Sequence, residues 1–130
     1  MGVQFTGICT DCGTRFAVNE GGGFFFHLLH CDNCGHEKTV GFGELGETHA
    51  RYLKGLSGPY SIATAELEER MKACCKGDPL TQDVYHVEVE KHAGVCACGG
   101  QYRLDAPPRC PHCASTNYSA DPKGIQVMYD

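Results

Sequence analysis

The sequence predicts a small α+β protein in which short antiparallel strands near both ends of the chain flank a helical middle section. Eight of the ten cysteines form four close pairs, two towards each end. Short apolar segments bounded by glycine lie beside these pairs, as expected for strands joined by tight turns. Residues 62–76 carry acidic residues early and basic residues late, which is the charge order that the helix dipole favours.

The composition leaves little material for a hydrophobic core. The chain has 130 residues, and its hydrophobic fraction of 42% includes the ten cysteines. Chains of this size commonly need a metal ion or disulfides to fold. The net charge is −5, and the 11 Lys and Arg residues are scattered, which disfavours nucleic acid as a partner.

The start of the chain lacks the basic-then-apolar pattern of a secretory signal. The longest apolar run, from Phe24 to Leu29, is interrupted by His27 and is far too short to cross a bilayer. We therefore expect a cytoplasmic protein without a membrane segment. Thiols stay reduced in that compartment, so closely paired cysteines favour metal binding over disulfides.

The first section, residues 1–43, is predicted to contain strands and two cysteine pairs. The strands are expected at 3–7, 15–18, 24–30 and 38–42. Residues 19–23 include three glycines in a row, which predicts a tight turn after which 24–30 returns along the preceding strand.

The middle section, residues 44–82, is predicted to be helical. One helix is expected over 44–53, although Gly46 weakens it. A stronger helix is expected over 62–76, with Ser61 or Thr64 as its N-cap and Gly77 at its end.

The last section, residues 83–130, is predicted to be a second set of strands. Tyr85, Val87 and Val89 alternate with polar residues, which predicts a half-buried strand over 84–90. Further strands are expected at 101–104 and 125–129.

The four cysteine pairs, which we call knuckles one to four, supply enough thiolates for two four-cysteine metal sites. They are Cys9–Cys12, Cys31–Cys34, Cys96–Cys98 and Cys110–Cys113. We expect local pairing, with knuckles one and two in one site and knuckles three and four in the other. A crossed arrangement that joins knuckle one to a distant pair is the alternative. Because four cysteines fill every position of a tetrahedral ion, both sites are expected to be structural rather than catalytic.

Cys9-Thr-Asp-Cys-Gly and Cys31-Asp-Asn-Cys-Gly resemble the paired knuckles of the zinc-ribbon and rubredoxin-like superfamily. Cys96-Ala-Cys-Gly-Gly with Cys110-Pro-His-Cys looks like a second member. The resemblance implies a zinc ribbon at 1–43, a helical connector at 44–82 and another ribbon at 83–130. It also implies two Zn²⁺ ions per chain, with Fe possible in their place, and all eight cysteines as ligands. The chain departs from the pattern at the one-residue gap of knuckle three and at Ala114, where a glycine is expected.

Two further cysteines, Cys74 and Cys75, lie at the end of the predicted second helix. Neighbouring residues of a helix point about 100° apart, so this pair is not expected to chelate one ion as a knuckle does. We expect them to be buried as small apolar residues, with a redox-sensitive thiol or a spare ligand as the alternatives. The histidines near the knuckles, His30, His36 and His112, are expected beside the ligands or at the surface.

The sequence contains no nucleotide-binding loop, nucleophile elbow or His-Glu-x-x-His motif. We therefore expect a non-catalytic protein that acts as a protein–protein interaction module or as the small zinc subunit of a larger assembly. Its partner surface is expected at the apolar run from Phe24 to Leu29. The alternatives are a nucleic-acid-binding ribbon that uses Tyr102, Arg103 and Arg109, and an iron-containing electron carrier.

Overall fold

A computed structural model describes Gly2 to Asp130, so residue 1 of the first predicted section lies outside it. The predicted α+β class is confirmed: short antiparallel strands form two small sheets, and the helices follow the first four strands in the chain and precede the last three. The strands are β1 (Gly2–Cys9), β2 (Arg15–Glu20), β3 (Phe26–Cys31), β4 (Glu37–Gly41), β5 (Tyr102–Arg103), β6 (Tyr118–Ala120) and β7 (Val127–Tyr129). The helices are α1 (Phe42–Leu45), α2 (Glu47–Lys54), α3 (Ala65–Cys74) and α4 (Gln82–Ala93), and a 3-10 turn at Ile62–Thr64 precedes α3.

Both ends of the chain contribute to the first sheet. β2 pairs with β1 from Val3 opposite Glu20 to Ile8 opposite Arg15. β6 and β7 pair with the other edge of β1, and β7 places Tyr129 opposite Gly2. One edge of the central strand β1 is therefore paired with segments that are more than a hundred residues distant in sequence.

The second sheet is made from the interior of the chain, in the order β4-β3-β5. The predicted strand at 24–30 forms as β3, but it does not return along β2. It pairs instead with β4 and β5, so the chain leaves the first sheet at the glycine turn. Gly22 is needed there because a Cβ at this position would lie 2.6 Å from the carbonyl oxygen of Phe26.

The predicted helical middle section is confirmed. Gly46, with φ of 55°, divides the first predicted helix into α1 and α2. The second predicted helix forms as α3, but neither Ser61 nor Thr64 caps it through its side chain. Instead, the buried Glu68 carboxylate accepts hydrogen bonds from the backbone N–H groups of Tyr60 and Ser61, at 3.1 and 3.2 Å.

The predicted strand at 84–90 is wrong, because this segment belongs to helix α4. Tyr85, Val89 and Ala93 are buried at a spacing of four residues, whereas Val87 is exposed. The Thr81 hydroxyl accepts a hydrogen bond from the Val84 N–H and caps the helix. Two of the alternating residues, Tyr85 and Val89, therefore lie on the buried face of a helix, and Thr81, which caps that helix, lies shortly before them.

The main hydrophobic core lies between the second sheet and helices α1, α2 and α4. Its members are Leu29, Cys31, Val40, Leu45, Tyr52, Tyr85, Val89, Ala93, Cys96 and Tyr102. Within Gly2–Asp130, no helix is both long enough and apolar enough to cross a membrane.

A hydrogen-bonded network is buried in this core. The Tyr85 hydroxyl lies 2.7 Å from Nε2 of His27 and 2.6 Å from Nδ1 of His49. The ring of Tyr52 stacks on that of Tyr85, with centroids 4.0 Å apart. The network joins β3, α2 and α4.

Candidate metal centres

Three of the knuckles share one backbone conformation. In knuckle one, the Cys9 N–H donates to the Thr14 carbonyl at 2.9 Å, and the Gly13 N–H donates to the Cys9 carbonyl at 2.8 Å. In knuckle two, the Cys31 N–H donates to the His36 carbonyl and the Gly35 N–H donates to the Cys31 carbonyl. In knuckle four, the Cys110 N–H donates to the Ser115 carbonyl and the Ala114 N–H donates to the Cys110 carbonyl. Each loop thus turns its two sulfurs to one side.

Knuckle three, which has the one-residue gap, forms the same kind of loop with one residue fewer. The Cys96 N–H donates to the Gly100 carbonyl at 2.7 Å, and the Gly99 N–H donates to the Cys96 carbonyl at 2.9 Å. The departure from the usual spacing therefore shortens the loop and preserves its closure.

The residue after the second cysteine of each knuckle adopts a positive φ. Gly13, Gly35 and Gly99 have φ of 76°, 78° and 93°. Ala114 takes the same role with φ of 61°, and it is the one non-glycine residue of positive φ between Gly2 and Asp130. The conformation expected of a knuckle glycine is therefore present at Ala114, at the cost of the strain that a Cβ brings.

The sulfurs form two groups of four, and the predicted local pairing is wrong. The first four-cysteine site consists of Cys9, Cys12, Cys110 and Cys113, and the second consists of Cys31, Cys34, Cys96 and Cys98. Knuckle one thus joins knuckle four, and knuckle two joins knuckle three. This is a nested arrangement, in which the second four-cysteine site lies within the stretch of chain that the first one closes.

The knuckles pair in this nested way because the pairing of the strands, and not the distance along the chain, brings them together. β1 and β6 pair directly, with Cys9 opposite Tyr118, and β3 and β5 pair with Cys31 opposite Tyr102. Lengthening a closed loop from about 20 to about 100 residues costs only about 1.5 kcal/mol of chain entropy. That cost is small beside the roughly 10 kcal/mol or more that a structural zinc site contributes.

The sulfur positions fit a tetrahedral ion. In the first four-cysteine site, Cys9 and Cys113 lie 3.5 Å apart, and Cys12 and Cys110 lie 3.6 Å apart. The matching distances in the second site are 3.4 Å for Cys31–Cys98 and 3.6 Å for Cys34–Cys96. Four sulfurs at about 2.3 Å from one ion lie about 3.8 Å from each other, whereas a disulfide needs about 2.05 Å. All ten cysteines are free. Each group can therefore hold one metal ion.

Local hydrogen bonds favour thiolates within both groups. Hydrogen bonding with the Thr14 side chain, and then with its backbone, lowers the pKa of Cys12 to about 6. The side chain of Asn33 and then the backbone of Gly100 lower the pKa of Cys98 to about 6. A thiolate is the form of cysteine that binds a metal ion.

The crowding of four thiols opposes full ionisation unless a cation is bound. A backbone hydrogen bond with Ser115 lowers the pKa of Cys113, but hydrogen bonding with Cys9 and burial outweigh it and raise the pKa to about 12. Four thiolates at this distance repel each other, and a divalent cation at the centre of the group offsets their negative charge. The electrostatics of the site therefore match a positive ion.

An aspartate inside the N-terminal knuckle of each site ties it to the C-terminal half of the chain. Asp11 accepts hydrogen bonds from the Ser115 hydroxyl and the Asn117 amide. Asp32 accepts them from the Gln101 N–H at 2.9 Å and from Nε of Arg103 at 3.0 Å. Sequence patterns do not identify these aspartates, because their partners lie far away along the chain.

Arg109 connects the two sites. Its guanidinium donates to the Ala114 carbonyl of knuckle four at 2.9 Å and to the Asp32 carbonyl of knuckle two at 3.1 Å. Gly35 must lack a side chain here, because its Cβ would lie 2.8 Å from the Arg109 backbone nitrogen. The three residues named for nucleic-acid binding are thus engaged within the protein: Tyr102 is buried, and Arg103 and Arg109 are bonded to Asp32.

The remaining histidines and cysteines lie outside both groups. His36 bonds to the Tyr102 hydroxyl at 3.0 Å, His30 is buried and His112 is exposed. Cys74 is exposed and Cys75 is partly buried, so the predicted burial of this pair is wrong for Cys74.

The fold and the two sites define a small α+β metal-binding module, and the four-cysteine groups are consistent with zinc-ribbon-like sites. Residues 5–119 match the family described as a domain of unknown function, DUF8255, and this interval contains all eight grouped cysteines. The chain belongs to this family. The comparisons with curated proteins and with solved structures found no match.

Proposed function

We propose that the protein is a non-catalytic module that holds two structural Zn²⁺ ions and acts by binding another protein, as an interaction module or as the small zinc subunit of a larger assembly. The observation that carries the proposal is the nested pairing of the knuckles. Each four-cysteine group joins a segment before the helices to a segment after them, so an ion in either group closes the fold.

Four cysteines around each ion leave no position for a substrate, which supports a structural role. The thinness of the core supports it too. The second four-cysteine site is continuous with the core through Cys31 and Cys96, so an ion there would add to its packing. The first four-cysteine site holds a sheet whose buried apolar side chains are few, with Val18 and Cys9 among them.

The partner surface is proposed at the N-terminal end of the apolar run. His27 and Leu29 are buried, but Phe25 is 57% exposed. Phe24 and Phe25 line a cavity of about 250 Å³ together with Leu67 and Met71 of α3. Exposed apolar surface of this kind is typical of protein–protein contacts.

Elemental analysis of protein purified without added metal tests the structural proposal. We expect two zinc atoms per chain and no absorption in the visible range. Iron in stoichiometric amount, which gives thiolate-to-iron absorption bands, would favour the electron-carrier alternative.

A single substitution tests the interaction. Wild-type protein is used to capture its partner from a lysate of cells in which the protein is naturally expressed. Phe25→Ser should abolish the recovery of that partner. Ile125→Ser, which changes an apolar residue elsewhere that is even more exposed, at 80%, should leave that recovery unchanged. Binding of single-stranded RNA at low salt, with no protein partner retained, would contradict the proposal.

A further inference from the structure

The cavity beside Phe25 contains a buried polar side chain whose hydrogen bonding is incomplete. His49 of α2 is 2% exposed and lines this cavity, which has a volume of about 250 Å³. Its Nδ1 lies 2.6 Å from the Tyr85 hydroxyl, whereas no atom of residues 2–130 forms a hydrogen bond with its Nε2. We propose that the cavity binds one phenol ring, whose hydroxyl bonds to Nε2 of His49. Under the proposed function, on which this inference rests, the ring is the side chain of a tyrosine in the partner protein.

The ring of His49 is held so that Nε2 faces the cavity. Phe42, which also lines the cavity, stacks on this imidazole with centroids 4.0 Å apart and 18° between the planes. The two nitrogens lie on opposite sides of an imidazole, so the bond from Nδ1 to Tyr85 turns Nε2 away from the core. Within Gly2–Asp130, the fully buried side-chain nitrogens and oxygens without a partner are Nε2 of His30 and Nε of Arg109. Nε2 of His49 is not among them, so it retains contact with solvent, and the cavity provides that contact.

A hydroxyl group suits Nε2 of His49 in either state of the Tyr85 network. The single proton of the Tyr85 hydroxyl is donated either to His49 or to His27 on its other side. A neutral imidazole carries one N–H, so Nε2 donates when Tyr85 donates to Nδ1, and it accepts when Nδ1 donates to Tyr85. A hydroxyl both donates and accepts, whereas the indole N–H of tryptophan only donates and a carboxylate only accepts.

The walls of the cavity favour an uncharged aromatic ring. Apolar side chains from the start of β3 and from α3 line it, and a cavity of about 150 Å³ already accommodates benzene. Burial, and then the charge of His27, lowers the pKa of His49 to about 4, so at neutral pH the imidazole offers no charge to an anion. The Glu68 carboxylate also lines the cavity and would repel one.

Tyrosine is the protein side chain that combines these features. Its ring is apolar, its tip carries the hydroxyl, and it is one of the residues that contribute most to binding at protein interfaces. Phenylalanine would also fill the cavity, but it would exclude water from Nε2 of His49 without replacing the hydrogen bond, which costs free energy. The exposed rings and chains of Phe25 and Leu67 remain available to contact the residues that flank the tyrosine.

Titration of the metal-loaded full chain with p-cresol and with toluene, the side-chain analogues of tyrosine and phenylalanine, tests the inference. Binding is followed through the nitrogen chemical shifts of the histidine rings. We expect p-cresol to shift Nε2 of His49 and to bind at least about fivefold more tightly than toluene. Toluene is the more apolar probe, so a cavity that recognises apolar surface alone would prefer it. Equal or tighter binding of toluene, or a p-cresol shift confined to other histidines, overturns the proposal.

Two substitutions of matched exposure show where the probe binds. Leu67 and Val84 are 46% and 47% exposed, and they lie on α3 and α4. Leu67→Trp places a large ring in the cavity and should abolish p-cresol binding at His49, whereas Val84→Trp should leave it unchanged. Binding that survives Leu67→Trp also overturns the proposal. Neither titration uses a cellular partner, so loss of the p-cresol preference removes the phenol site without affecting capture through Phe25, and failed capture contradicts the proposed function without changing that preference.

Discussion

At the scale of single residues, the position after the second cysteine of a knuckle governs how well the loop closes. Gly13 and Ala114 occupy this position in the two knuckles of the first four-cysteine site, and both adopt a left-handed backbone. A Cβ at Gly13 would meet no atom within 4 Å, so the cost of a side chain there is purely conformational. The pair thus offers a controlled comparison within one site.

Exchange of these residues should change stability in opposite directions. Ala114→Gly should raise the free energy of unfolding by about 1 kcal/mol, and Gly13→Ala should lower it by about 1 kcal/mol, because L-residues are strained at positive φ. Urea unfolding of the metal-loaded protein measures both. Equal effects of the same sign would contradict this account.

Gly35 should be the least tolerant of the knuckle glycines. Gly35→Ala combines the same conformational strain with a contact of 2.8 Å to the Arg109 backbone. We expect a loss well above that of Gly13→Ala, together with weaker metal retention in both sites, since Arg109 contacts both. Retention of metal against a chelator provides the measurement.

At the scale of elements, the Tyr85 network connects one strand to two helices. The Tyr85 hydroxyl has a single proton, so one of its two imidazole partners donates a hydrogen bond and the other accepts one. The histidine that accepts must be neutral, and burial favours the neutral form of the other one as well. Burial, and then the charge of His86, lowers the pKa of His27 to about 4; burial, and then the charge of His27, lowers the pKa of His49 to about 4.

Removal of the hydroxyl should destabilise the fold. Tyr85→Phe leaves two buried imidazole nitrogens without a partner, and we expect a loss of about 2–4 kcal/mol in the free energy of unfolding. Tyr52→Phe, on the ring stacked against Tyr85, removes a hydroxyl outside this network and should cost much less. Similar losses in the two variants would show that ring packing, not the hydroxyl, is decisive.

The same histidines predict acid sensitivity. Below their ordinary pKa of 6.5 they are protonated in the unfolded chain, but in the folded protein they stay neutral to about pH 4. The unfolded state thus binds more protons, and the free energy of unfolding falls as the pH drops from about 6.5 to about 4, by up to about 3 kcal/mol per histidine. His49→Gln should make this pH dependence shallower. Acid also releases metal from wild type and from His49→Gln alike. The quantity to measure is therefore the difference between the two proteins in how steeply the free energy of unfolding changes with pH.

Sequence patterns anticipate most elements but not all of them. β1, β2, β4, α2 and α3 follow from local apolar spacing and glycine positions, since those signals lie within the element. The segment of α4 is predicted as a strand because Tyr85, Val87 and Val89 alternate, although the Thr81 cap and Gly94 at the end indicate a helix. The partners of β3 depend on contacts with β5, which no local pattern specifies.

At the scale of the whole molecule, the nested connectivity organises the fold. Segments 2–20 and 110–129 form the first sheet and the first four-cysteine site, and they enclose the stretch that forms the second sheet, the helices and the second site. The eight grouped cysteines can be recognised from their spacing alone. Their pairing cannot, because the entropy difference between short and long loops is too small to decide it.

Pairs of cysteine substitutions test the nesting directly. Cys12→Ser/Cys110→Ser disrupts only the first four-cysteine site, so one metal ion per chain should remain bound. Cys12→Ser/Cys34→Ser disrupts both sites, so none should remain. Local pairing predicts the reverse, and elemental analysis of the two purified variants distinguishes the arrangements.

The order of the cysteines along the chain also sets a timetable for biosynthesis. Cys9 and Cys12 are synthesised before the other six grouped cysteines, whereas their partners Cys110 and Cys113 are synthesised last. By then the second four-cysteine site already has all of its ligands. The second, inner four-cysteine site can therefore bind its ion and begin to order the helices while the first, outer site still has only Cys9 and Cys12. Growth of the chain thus favours filling the inner site before the outer one, which the newly made C-terminal segment then closes.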